Sequence, residues 1–253
     1  MSRALCALTA VSLLSIVPSW GDAILEVRVG GDELVDPARP RTEQTCRPCV
    51  PPARPGETVT LHVAGDRIRR DRGPLSVIFD RSKRKIDFLC AETRQYSELG
   101  TPVNYHRALP NDFRRTLDEI IRFDLTAPGT TRSGEVGPWK VETFEAAVAN
   151  GLREMFTVRV SVADALPGET GLLLELRKML HELERFGQGW SRFLPFATGV
   201  PIVWEERQRQ PTTEFVYREE VTKIDIRALP PETFQVPKDY KKIRYQKSCF
   251  PTR

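Results

Sequence analysis

The sequence predicts a mainly β protein of the α+β class, an antiparallel sheet with helices inserted between its strands. Three observations carry this. Runs of alternating apolar and polar residues recur between turn residues roughly every 8–12 positions, the spacing of antiparallel sheets. Asn150-Gly151, the strongest short hairpin signal, joins two such runs. The stretch from Leu172 to Phe186 has instead the 3.6-residue period of a helix.

The first element is a leader. Met1-Ser2-Arg3 carries one positive charge, and an uncharged, mostly apolar stretch runs from Ala4 to Val17 before Pro18 breaks it. Gly21 and Ala23 place small residues where a signal peptidase reads them, so residues 1–23 are expected to be a cleaved secretory signal. The apolar stretch, about 14 residues, falls short of the roughly 20 that span a bilayer. The expectation is a periplasmic or secreted protein with no stable membrane span after cleavage.

Ile24 to Val29 then alternate as a short strand ending at Gly30-Gly31. Residues 32–56 hold Pro37, Pro40, Pro48, Pro51, Pro52 and Pro55, which cannot donate to a sheet ladder, and are expected as a loop insertion. From Thr58 a meander is expected: Val59, Leu61 and Val63 alternate with polar residues, Gly65-Asp66 turns into Arg67-Ile68-Arg69, and runs follow at Leu75–Phe79, Arg84–Cys90 and Thr93–Leu99. Phe113, Leu117, Ile120 and Ile121 place a helix over 110–123, with a polar loop at 126–138. The Asn150-Gly151 turn pairs Trp139–Ala149 with Leu152–Val162, where Phe156, Val158, Val160 and Val162 share a face.

The helix from about Leu172 to Phe186 stripes Leu172, Leu176, Met179, Leu180, Leu183 and Phe186 on one side. Trp190 and Phe193 follow in a second apolar patch. Such a helix either buries one face on the sheet or forms a lid over it, and composition does not choose between the two. Strands at Val200–Glu206 and Glu214–Arg227 complete the fold, and a proline-marked tail runs from Pro230 to Arg253.

Charge and motifs narrow the function. A net charge of +4 over 253 residues, without a basic block bearing aromatics, gives nucleic-acid binding little support. His62, His106 and His181 lack metal-ligand spacing, and no nucleophile elbow, phosphate loop or dinucleotide fingerprint occurs. Adjacent acidic pairs such as Glu205-Glu206 and Glu219-Glu220 point to opposite faces of a strand. A non-enzymatic protein without cofactor or metal is the expectation. Beyond the leader, Cys46, Cys49, Cys90 and Cys249 are disulfide candidates. Cys46-Arg47-Pro48-Cys49 also admits a redox or a zinc reading, but the following prolines leave no helix N-terminus to activate a thiol, and no second Cys-x-x-Cys exists.

Val63-Ala64-Gly65-Asp66-Arg67-Ile68-Arg69, Ser76-Val77-Ile78-Phe79-Asp80, Lys83 to Phe88 and Thr93-Arg94-Gln95-Tyr96 occur in order. Gly199-Val200-Pro201-Ile202, Val221-Thr222-Lys223-Ile224 and Leu229 to Tyr240 complete the series. Over roughly residues 57–243 this set resembles uncharacterised exported bacterial proteins of the LolA/LppX-like lipoprotein-carrier superfamily. The 32–56 insertion, the 244–253 tail and the stretch Gly137 to Phe144, which lacks that group's central cysteine, depart from the pattern.

The resemblance implies one domain over 24–243, a curved antiparallel half-barrel whose inserted helices, about 170–196, act as lid or plug. Its cavity would hold an apolar ligand: a lipid, an acyl chain or a lipoprotein. Candidate lining residues are Phe156, Val158, Val160, Leu172, Leu176, Met179, Leu183, Trp190 and Phe193. The alternative is an envelope structural or interaction protein whose core is filled by its own side chains.

Overall fold

The computed structural model describes residues 22–35, 57–108, 124–125, 130–149, 155–163, 173, 175, 176, 179, 200–209 and 213–245. Its strands, in chain order, are β1 (Ala23–Val35), β2 (Thr58–Ala64), β3 (Arg67–Arg72), β4 (Leu75–Asp80), β5 (Lys85–Cys90) and β6 (Gln95–Gly100). A one-turn helix, α1 (Tyr105–Ala108), comes next. Then follow β7 (Asp124–Leu125), β8 (Thr130–Val136), β9 (Trp139–Ala149), β10 (Met155–Ala163), β11 (Val200–Arg209), β12 (Thr213–Ile226) and β13 (Lys241–Lys242). A 3-10 turn at Pro231–Phe234 precedes β13.

Local chemistry builds the meander from β2 to β6. Gly65 and Gly73 open two-residue turns at φ of 51° and 54°, a conformation that a side chain on Cβ disfavours. The β4–β5 loop is closed by Asp80, whose Oδ1 accepts from Ser82 Oγ at 2.7 Å and from the Lys83 amide at 2.9 Å. These hairpins set the register: Ile68 sits opposite Val63 and Phe79, and Phe79 opposite Ile86. All four are buried on one face.

The strands form one 13-stranded sheet in the order β13-β6-β5-β4-β3-β2-β1-β12-β11-β10-β9-β7, with β8 also on β9. All pairs are antiparallel except β13 with β6. The sheet is open: among the described residues no ladder joins β13 and β6 to β7 and β8. The expected half-barrel is therefore corrected to an open mixed sheet, and the barrel description is withdrawn with it.

The helical lid or plug is corrected too. The described residues of the expected 172–186 helix, Leu173, Glu175, Leu176 and Met179, are helical. Leu173, Leu176 and Met179 are 5%, 2% and 6% exposed and belong to the same apolar cluster as Leu25, Phe88, Val160 and Trp204. They are packed into the sheet's core. The 110–123 helix lies outside the described residues.

Four smaller expectations also change. β1 does not stop at Gly30-Gly31 but continues to Val35, because its full length pairs with β12. The proline-rich insertion thus begins at the end of a strand. The polar stretch 126–138 contains β8, held on β9 from Val136 opposite Trp139 to Thr130 opposite Glu145. The β9–β10 hairpin pairs Ala149 with Met155, three residues away from the register that a two-residue Asn150-Gly151 turn requires.

The tail after Pro230 is built into the fold. Phe234 joins Ala64, Ile78 and Leu89 in a second apolar cluster on the opposite face, and Tyr245 stacks edge-on against Phe88 at 4.7 Å on the core side. Of the four disulfide candidates only Cys90, at the end of β5, is described, so no bond joins two described cysteines; Cys90 is itself buried and disulfide-bonded. Among the described residues no helix is long and apolar enough to cross a membrane.

Candidate functional site

The centre of the core face, where β3, β12 and β11 pass beneath the helical residues, holds a cluster of buried charged residues. Strand alternation puts Arg70, Trp204, Glu206, Tyr217 and Glu219 on this face, and the register sets Trp204 opposite Glu219 and Glu206 opposite Tyr217. β11 and β12 each carry an aromatic donor two residues before a carboxylate. Trp204 Nε1 donates to Glu206 Oε1 at 2.5 Å, and the Tyr217 hydroxyl donates to Glu219 Oε1. Arg70 Nη2 reaches Glu219 Oε1 at 3.2 Å, with the two side chains 7% and 12% exposed. A carboxylate held this far from water is tolerable only when paired and hydrogen-bonded, and Glu219 has both a guanidinium and a phenol.

Between this cluster and the helical residues lies a cavity of about 40 Å³, lined by Leu61, Arg70, Leu173, Leu176, Trp204 and Glu219 among others. A water requires roughly 10–15 Å³ of such space, whereas small-molecule sites run to about 300–1,000 Å³. The cavity accommodates a few waters beside the Arg70–Glu219 pair and no acyl chain. The expectation of an apolar ligand held in a β cavity is corrected on this ground.

The nine expected lining residues are brought together only in part. Val158, Val160, Leu176 and Met179 are buried in the main core, and of these only Leu176 borders the cavity. Leu172, Leu183, Trp190 and Phe193 lie outside the described residues, as does the side chain of Phe156. Arg70, Trp204, Tyr217, Glu206 and Glu219 were missed. The signal was present in Trp204-Glu205-Glu206 and Tyr217-Arg218-Glu219, two aromatic-x-Glu steps whose ends share a face. The adjacent acids do point to opposite faces, as expected; the members that matter meet their partners across alternate positions and neighbouring strands.

The opposite face of the same strands carries the other members of those acidic pairs. Glu205, 5% exposed, sits among Arg207 at 2.9 Å, Arg218 at 3.3 Å and Arg159 at 3.8 Å. Arg159 also meets Glu145 at 2.8 Å, and Glu220 meets Arg28 at 3.1 Å and Arg218 at 3.2 Å. The row Glu145, Arg159, Glu205, Arg218 follows the cross-strand register of β9 to β12, alternating in sign at each strand. Opposite charges in direct cross-strand positions stabilise pairing and fix its register.

A third polar group lies on β2–β4 beneath the C-terminal segment. His62 Nε2 is 3.3 Å from Asp71 Oδ2, and Arg69 Nε donates to Asp71 at 2.8 Å while its Nη1 donates to the Thr233 carbonyl at 3.1 Å. Burial pushes the Asp71 carboxyl up, but hydrogen bonds from His62, Ser76 and Arg69 outweigh it and hold the group below its ordinary value. With the Arg67 guanidinium 4.7 Å over the Phe234 ring, these contacts fasten the tail to the sheet.

No family model matches the chain, and no curated protein matches it.

Proposed function

We propose that the chain is an exported, non-enzymatic envelope protein that acts as a structural or interaction module with a filled core. The observation that carries the reading is the small size of the cavity, about 40 Å³, between the sheet and Leu173 and Leu176. A core filled by its own side chains leaves the outer face and the strand edges to meet other molecules. Export is supported by the residues of the leader, by the even number of cysteines beyond it and by the likeness of 57–243 to exported proteins.

Hydrogen exchange and native mass spectrometry on protein recovered from the envelope or medium of its expression host test the reading. Amides at 173–179 should exchange as slowly as those of β11 and β12, and the rate should not change on adding phospholipid vesicles. A stoichiometric co-purifying lipid, or exchange at 173–179 that slows with lipid, would overturn it. Recovery only from the cytosol would overturn export.

A further inference from the structure

We propose that the leader is removed between Gly21 and Asp22, so that the mature chain begins at Asp22 and keeps Ala23; this rests on the export reading. Two bonds satisfy the small-residue rule. Gly21 and Ala23 stand third and first before a cut that frees Ile24, and Ser19 and Gly21 stand third and first before a cut that frees Asp22. The residues alone do not separate them, but the fold does.

Asp22 is a working part of the sheet. Its Oδ2 accepts from the Leu229 amide at 2.8 Å, and its carbonyl accepts from the Arg227 amide at 3.0 Å. These bonds turn the chain out of β12 toward the segment that carries Phe234. Ala23 is 1% exposed and forms the first rung of two ladders, opposite Ile226 and Val63. A cut before Ile24 would remove all of this. It would also place a charged α-amino group on a residue only 8% exposed, where desolvation opposes the charge. A cut before Asp22 puts the new ammonium on a half-buried residue beside that residue's own carboxylate.

The step is hydrolysis by the host's signal peptidase. One water is consumed, the Gly21–Asp22 amide bond breaks, Gly21 leaves as a carboxylate and Asp22 gains a free amine.

The test expresses the full chain in a bacterial host with an intact export system and reads the mature N-terminus by sequencing and intact mass. A start at Asp22 is expected. A start at Ile24 overturns the proposal while leaving export standing, and an uncleaved chain that stays in the cytosol overturns both. A pulse-labelled Ala23→Gln variant reads processing before folding matters. Its precursor should mature at the normal rate, because residue 23 lies beyond the cut; a block of maturation overturns the proposal. Purified chains starting at Asp22 and at Ile24 complete the test. The shorter should melt lower by roughly 5 °C, a shift suited to a chain of this size; equal melting overturns the structural basis.

Discussion

Arg70 occupies a position where a sheet normally places an aliphatic residue, flanked in register by Leu61 and Val77. Its charge is tolerated there because Glu219 answers it and Tyr217 supplies a further donor to the same oxygen. Removing one member leaves the other charged and largely buried without its counter-charge, which is the costly way to break such a pair. Arg70→Met should therefore lose about 3–5 kcal/mol of unfolding free energy in urea titration. Replacing Glu219 by Met as well should recover much of that loss, since an apolar pair of similar volume avoids the desolvation cost. A double-mutant cycle measures the coupling. A single-mutant loss below about 1 kcal/mol would place the pair in the solvent-screened class and contradict its burial.

At the scale of elements, the meander from β2 to β6 was legible because each turn is local. Gly65, Gly73 and Asp80 fix their own hairpins, and the apolar alternation then follows. Elements set by distant partners were not. Gly30-Gly31 is a strand end by composition, yet β12 carries β1 through it with partners nearly two hundred positions away. The β9–β10 register, Ala149 opposite Met155 and Phe144 opposite Val160, is likewise not the one that the Asn150-Gly151 dipeptide predicts. The Arg70–Glu219 site escaped for the same reason, since its members come from β3 and β12. The helix illustrates a different limit: its apolar stripe reads the same whether it covers a space or fills one. Leu176→Ala decides between them. As a core residue at 2% exposure it should cost about 2–5 kcal/mol, whereas a side chain over an empty mouth would cost little. Phe234→Ala is the companion measurement on the opposite face, with an expected loss of about 3–5 kcal/mol if the tail is integral to the fold.

The whole molecule is organised by one long-range event, the union of β1 with β12 in the middle of the sheet. A chain made from its N-terminus cannot complete that ladder until residues 213–226 have been synthesised, and non-local pairings of this kind form slowly. Its response to acid is also a property of the whole. Asp71, Asp80 and Glu98 all sit below their ordinary values. For the two aspartates burial opposes the shift, but hydrogen bonds from His62, Ser76 and Arg69, and from Ser82 and Lys83, prevail. For Glu98 the Lys242 ammonium, at 2.9 Å, is the main cause. Each therefore contributes stability that is present above its unfolded value, 3.8 for the aspartates and 4.5 for Glu98, and is lost as pH falls through the folded one. Asp87 works the other way. Burial raises it, its Oδ1 has no hydrogen-bond partner, and Lys85 at 2.7 Å compensates only in part. It favours the fold below 3.8 and gives that up as pH rises through its raised value. Loss of the three depressed carboxylates' contributions is the expected course on the acid side. Lys85 and Lys242, held above 10.5 by Asp87 and by Glu98 against the pull of burial, keep their contribution until strongly alkaline pH. Melting temperature should accordingly be flat from about pH 6 to 9 and fall below about pH 4.5. Asp71→Asn should lower the neutral plateau and make the acid limb shallower, because it deletes one of the groups that must be protonated. Melting followed by circular dichroism from pH 7 down to pH 3 reads both effects. An acid limb that steepens in the variant, or a wild-type melting temperature that rises on acidification, would show that Asp87 and not the three depressed carboxylates governs the response.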